Sequence, residues 1–155
     1  MDLSVSVDRV NLKNPLIVAS SDISLDLERF RNLVDSGVGA IVTKSVTDIP
    51  QLQSSAITRF KILDRSPGFY TMISRGGPML PIEKMQKLLP DYLSYAHEHN
   101  TRVIGSVCCN TLENWVEYSK EFEDAGVDML ELNLGNPHGE VTNNGEPGIT
   151  MNQWP

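Results

Sequence analysis

The chain has 155 residues, 40% hydrophobic and 21% charged, with a net charge of −7. That size and composition describe one folded globular domain and exclude a disordered chain. The acidic balance and the scattered Lys and Arg residues exclude a general nucleic-acid or anionic-membrane surface, and no apolar stretch approaches the roughly 20 residues of a membrane span.

Leu3, Val5 and Val7 alternate with Ser4, Ser6 and Asp8, and Val10-Asn11-Leu12 follows. This predicts a small hairpin over about 1–13 that turns at Asp8-Arg9. Asn14-Pro15 breaks it. Leu16-Ile17-Val18-Ala19 is a continuous apolar run, which predicts a strand buried on both faces, as in a parallel sheet. Ser24 is the predicted cap of a helix carrying Glu28 in its N-terminal part, with Leu25, Leu27, Phe30, Leu33 and Val34 at helical spacing. Gly37 closes that helix. Ala40-Ile41-Val42-Thr43 is a second buried strand. Lys44 to about Pro81 shows little periodicity, and a loop this long in a compact domain is usually functional or mobile.

Ile82, Met85, Leu88, Leu89, Leu93 and Ala96 form a second helical face, with a bend or restart expected at Pro90. Val103-Ile104-Gly105-Ser106-Val107 is a third strand. Thr111 caps a third helix that carries Trp115, Val116, Tyr118, Phe122 and Ala125 and ends at Gly126. Met129-Leu130-Glu131-Leu132-Asn133-Leu134 is a fourth strand, and Gly135 to Pro155 reads as loop. Adjacent Cys108 and Cys109 are expected to be reduced and unbridged, since a bond between neighbours strains the backbone. With His97, His99 and His138 they form no metal-ligand spacing, so no metal is expected. The N-terminus lacks a basic segment followed by an apolar core; no secretory signal is predicted, and a cytoplasmic location is expected.

Four strands alternating with three helices, over about residues 15 to 135, make the βα repeat of a parallel sheet. Its closure is either a doubly wound open sheet or part of a (β/α)8 barrel; no Gly-x-Gly-x-x-Gly follows the first strand, which disfavours the classical dinucleotide fold. In both, ligands sit at the C-terminal strand ends. Those ends carry Ala19-Ser20-Ser21, Thr43-Lys44-Ser45, Ser106, and Glu131 with Asn133. Lys44 follows a buried strand directly, where an ammonium requires an anionic or polar partner: a ligand or a neighbouring strand end. Asn133 lies within an apolar run and is either a structural clasp or a ligand contact.

Leu12-Lys13-Asn14-Pro15-Leu16-Ile17-Val18-Ala19-Ser20, Gly39-Ala40-Ile41-Val42-Thr43-Lys44-Ser45-Val46-Thr47, Ile104-Gly105-Ser106-Val107 and Glu131-Leu132-Asn133-Leu134-Gly135-Asn136-Pro137-His138-Gly139 together resemble the dihydroorotate dehydrogenase family, which includes the flavin barrel of dihydropyrimidine dehydrogenases. The order and spacing match from Asp2 to about Gly148. The resemblance implies a (β/α)8 barrel, flavin mononucleotide (FMN) at its C-terminal mouth, and hydride transfer between flavin and a small dihydropyrimidine-like substrate. It implies that Ala19, Ser20, Lys44, Ser45, Ser106 and Asn133 line the flavin, with Lys44 and Asn133 also facing substrate.

Two stretches depart from the family. Tyr70-Thr71-Met72-Ile73-Ser74-Arg75-Gly76-Gly77 stands where the family has an Asn-x-x-Gly-Leu-type segment for the pyrimidine. Asn136 stands where many members carry the cysteine that accepts the substrate proton, and an amide has no accessible protonation equilibrium near neutral pH. A (β/α)8 barrel needs at least about 200 residues. The expected product is therefore the N-terminal half of the barrel, preceded by a short hairpin and ending after the fourth strand. Either it is one part of an FMN oxidoreductase, of this or another substrate, or it is a non-catalytic half barrel that pairs with a second half, including a second copy.

Overall fold

The structure, a computed structural model, describes residues 1–53, 59–62, 70–73 and 78–134. Val5–Val7 (β1) and Val10–Leu12 (β2) form the expected antiparallel hairpin, in register Val5↔Leu12 and Val7↔Val10. Asp8 makes the turn at φ 48, a left-handed conformation that Asp tolerates better than most residues. Ile17–Val18 (β3) follows, then a single 3-10 turn at Asp22–Ser24.

The first helix, Leu27–Asp35 (α1), is capped by Asp26, whose side chain accepts from the Arg29 N–H at 2.9 Å. The predicted cap, Ser24, is instead buried, its hydroxyl shared between the carbonyls of Ser21 (3.1 Å) and Val42 (3.3 Å). A hydroxyl held by the sheet cannot also cap a helix, so the start moves two residues on. Gly37 follows the C-cap at φ 85, as predicted.

Ala40–Val42 (β4) is buried throughout. The long stretch after it holds more structure than its lack of periodicity predicts. Val46 bridges both Leu80 and Val107 in parallel, Pro50–Gln53 (α2) is a helical turn, and Arg59–Ile62 (β5) pairs antiparallel with Tyr70–Ile73 (β6). Ser74 to Gly77 lie outside the described residues.

Ile82–Glu98 (α3) runs through Pro90 as one helix, so it does not restart there. Pro90 is exposed and removes one intrahelical donor, while buried Met85, Leu89, Tyr92, Leu93 and Ala96 hold the helix down on both sides of it. Arg102–Val107 (β7), Leu112–Ala125 (α4) and Met129–Leu132 (β8) complete the order. Thr111 caps α4, accepting from Asn114 N at 3.3 Å, and Gly126 ends it in the left-handed region.

The four parallel strands lie side by side in the order β3-β4-β7-β8. The order never reverses along the chain. A doubly wound sheet reverses at its switch point, whereas a barrel adds each strand beside the last. The fold is thus an arc of four strands from a (β/α)8 barrel, the N-terminal half, with a hairpin before it.

The two faces of the arc differ. One packs against the helices, with Ile41, Val103 and Val107 meeting Phe30, Val34, Met85, Leu89, Tyr92, Trp115 and Phe122. Phe30 and Tyr92 stack with centroids 4.0 Å apart, and the Tyr92 hydroxyl donates to Ser24 O at 3.1 Å. The other carries Ala40, Val42 and Ile104, covered at its N-terminal end by Leu12 of the hairpin, with Val5, Val10 and Met129 beside them. Asn14 clasps this end: its Oδ1 accepts from Leu16 N at 3.1 Å and its Nδ2 donates to Gly37 O at 2.8 Å.

Only the central strands β4 and β7 have the burial expected of all four. Leu16 and Ile17 beside and on β3, and Leu130 and Leu132 on β8, are exposed. Each outer strand has one neighbour among the described residues, and half of its side chains face no partner there.

Two expected outcomes follow from this packing. A Cβ on Gly105 would meet Phe122 Cδ1 at 2.6 Å, a buried ring held between α4 and the sheet. Gly105→Ala is expected to lower stability by about 1–3 kcal/mol in urea unfolding, an overpacking cost, with an unchanged value contradicting the close approach. Burial pushes the Cys108 thiol up to about 11 from an ordinary 9.0, with the Asp48 carboxylate adding to the shift, and pushes Cys109 higher still. A raised folded value stabilises the chain below the unfolded value, and that contribution is lost as pH rises through the folded one. The urea midpoint is expected to hold up to about pH 9 and fall toward pH 11, less steeply in Cys108→Ala; equal slopes would contradict this.

Candidate active site

The strand ends are brought together by register. β7 pairs with β8 as Ile104↔Met129 and Ser106↔Glu131, and β4 pairs with β7 as Val42↔Ile104. Side chains alternate across a strand, so Ile104 and Ser106 share a face, as do Met129, Glu131 and Asn133. An apolar layer of Val42, Ile104 and Met129 therefore lies beneath a polar layer of Ser106 and Glu131 at the C-terminal mouth.

A chain of hydrogen bonds crosses that layer. Ser20 Oγ lies 3.2 Å from Ser45 Oγ and accepts from Ser45 N at 3.1 Å. Ser45 Oγ lies 2.8 Å from Ser106 Oγ, and Ser106 Oγ donates to Glu131 Oε1 at 2.8 Å. Asn133 Nδ2 donates to Ser45 Oγ at 3.3 Å, and Asn133 N donates to Val107 O, continuing the ladder past β8. All four parallel strands contribute. Ser45 and Ser106 are buried.

Lys44 Nζ pairs with Asp22 Oδ1 at 2.7 Å. The lysine side chain is 10% exposed and the aspartate side chain 50%. Of the two partners considered for Lys44, a neighbouring strand end is realised, through the turn that follows β3. An ammonium has three donors, so the pair leaves capacity for a ligand.

Four predicted site residues, Ser20, Ser45, Ser106 and Asn133, thus join one network, and Lys44 lies next to Ser45 in the chain with its charge paired. Ala19 is exposed just past the end of β3, and its methyl side chain takes no part in the network. Asn136, with Gly135 and the Pro137-His138-Gly139 that follows, lies outside the described residues.

Glu131, named at the strand end but given no role, anchors the hydroxyl chain, and its spacing of two from Asn133 was the available signal. Asp22 was missed: it sits in a turn without periodicity, and the only hint was the partner that Lys44 requires.

The loop beyond is held separately. Asp48 accepts from Asn110 N at 2.9 Å and from Asn114 Nδ2, fixing the segment between β7 and α4. Cys108 and Cys109 are buried and unbridged. Among the described residues no group of three or more His, Cys, Asp and Glu could hold a metal ion, and no helix is long and apolar enough to cross a membrane.

No family model matches the chain. Among curated proteins it is 27% identical over 138 residues to the catalytic subunit of dihydroorotate dehydrogenase B (NAD(+)) of Alkaliphilus metalliredigens, a match covering 89% of this chain and 43% of the relative. The same subunit of Thermoplasma acidophilum is 26% identical over 137 residues, covering 88% and 43%. The putative dihydroorotate dehydrogenase A (fumarate) of Aeropyrum pernix is 27% identical over 137 residues, covering 88% and 42%. The chain spans less than half the length of these relatives. Among solved structures, Old Yellow Enzyme from Pichia sp. AKU4542 aligns with 86% of this chain and 38% of its own, at a TM-score of 0.42 and 16% identity, too slight a likeness to add to the strand order. In sequence the chain resembles the dihydroorotate dehydrogenases over less than half of their length, and in fold it is an arc of a (β/α)8 barrel.

Proposed function

We propose that the ends of β3, β4, β7 and β8 hold the ring of FMN, and that the chain serves hydride transfer between this flavin and a dihydropyrimidine-like substrate such as dihydroorotate. The observation that carries this reading is the convergence of Ser20, Ser45, Ser106 and Asn133 in one network at the C-terminal mouth, beside Lys44. Ligands of parallel α/β folds bind at that end. The curated relatives named as dihydroorotate dehydrogenases supply the substrate class.

The residues present fit a flat, polar-edged ring. The small side chains of Ala19 and Ser20 permit close approach to the backbone. Ser21 Oγ is buried with no hydrogen-bond partner, a polar atom that a ligand could satisfy. When bound, flavin supplies a hydride acceptor. Lys44 offers a charge-assisted donor to an edge that gains negative charge, and the Asp22 carboxylate keeps its ammonium aligned. Asn133 offers amide groups in a fixed orientation. Asn136 occupies the position of the family's base, and an amide takes no proton near neutral pH, so the reading gives the substrate proton to another group. The exposed side chains of Leu16, Ile17, Leu130 and Leu132 favour a closed sheet, completed by further strands from a second half barrel.

Titration of FMN with the purified chain, followed by its visible band and fluorescence, tests the reading. A saturable spectral change is expected, weakened about tenfold in Lys44→Ala, the loss of one hydrogen bond from a charged donor. An FMN spectrum indifferent to the chain, or equal binding by Lys44→Ala, would contradict it.

A further inference from the structure

The hydroxyl chain has a direction, and proton counting reveals it. Ser106 Oγ gives its one hydrogen to Glu131 Oε1 at 2.8 Å. A carboxylate only accepts, so this bond cannot run the other way. In the 2.8 Å contact between Ser45 Oγ and Ser106 Oγ, the donor must then be Ser45. With its only hydrogen spent, Ser45 Oγ can only accept, from Ser20 at 3.2 Å and from Asn133 at 3.3 Å. Asn133 must therefore turn its NH2 group toward Ser45, which leaves Oδ1 and one N–H for a ligand. Were the amide reversed, it would offer two N–H groups and no acceptor.

We propose that Glu131 is a positioning residue that sets, through Ser106 and Ser45, the orientation of the Asn133 amide, and so selects a ligand edge pairing a carbonyl with an N–H. Such an edge belongs to cyclic amides and imides; an edge of acceptors alone, such as a carboxylate, is disfavoured. Glu131 acts from β8 across to β7 and β4 and back to its own strand's end, without touching the ligand. The ligand half of this inference rests on the reading of the mouth as a flavin site, whereas the amide orientation stands without it.

Isotope-labelled NMR of the ligand-free chain tests the orientation directly. In the native chain the Asn133 side-chain N–H protons are expected to show cross-relaxation to the Ser45 β protons. Glu131→Gln can donate as well as accept at Ser106, and Ser106→Ala cuts the chain; both are expected to weaken that signal and give a second Asn133 amide population. A native-like Asn133 signal in both variants would overturn the proposal, whether or not flavin binds. Should Glu131→Gln lose its dispersed spectrum, Ser106→Ala decides by the same signal. FMN affinity is the second reading. Each single variant is expected to bind about three- to tenfold more weakly, the range of one neutral hydrogen bond. The double variant is expected to bind no more weakly than either single, because both act through one path. Additive losses would overturn that path. Failure of the native chain to bind FMN would overturn the flavin reading and leave the NMR result to decide the role of Glu131.

Discussion

The parallel pairing of β4 with β7 is the constraint on which the rest depends. β4, and β7 from Val103 on, are buried on both faces, so their backbone N–H and C=O groups must be satisfied in the ladder. The different apolar partners of the two faces fix the register at Ala40↔Arg102 and Val42↔Ile104. A slip of one residue would turn Val103 and Val107 from the helices to the opposite face and take Ser106 out of the mouth. Packing and site geometry are thus two consequences of one pairing.

The helices secure that register from one side and the N-terminal hairpin from the other. Phe30 and Phe122 are fully buried against the sheet, each worth about 1.5–3 kcal/mol of apolar burial. Gly105 lets the Phe122 ring come down onto β7. At the opposite end Leu12 plugs the apolar layer, while Lys13 Nζ reaches His99 O and Thr101 Oγ1 at 3.0 and 2.9 Å. Asp128 ties the start of β8 to β7 by accepting from Val103 N at 2.8 Å and Arg102 Nη1 at 3.2 Å. The bottom of the arc is closed by these clasps, and the serine hydroxyl chain lies at the top.

Much of this was legible in the sequence. Apolar runs bounded by Gly37, Gly126 and Thr111 located the repeats, the pattern at the run ends singled out Lys44 and Asn133, and the family resemblance added Ser20, Ser45 and Ser106. The rest depended on distance in space. Glu131 gains its role from Ser106 on another strand, which only register reveals. Ser24 reads as a cap until the Val42 carbonyl is known to lie within its reach. β3 and β8 read as buried because apolar content alone does not tell an edge from a centre. A restart at Pro90 is expected only because local propensity ignores the packing that carries α3 through it.

The central claim is that four strand ends form one polarised cradle for a flavin ring. A crystal structure of the chain grown with FMN tests it most directly. The account predicts the ring against Ser20, Lys44, Ser45 and Asn133, with the Ser45–Ser106–Glu131 hydrogen bonds intact and the Asn133 Oδ1 turned from Ser45 to the ligand. A ring bound elsewhere, or an Asn133 amide reversed toward Ser45, would contradict it.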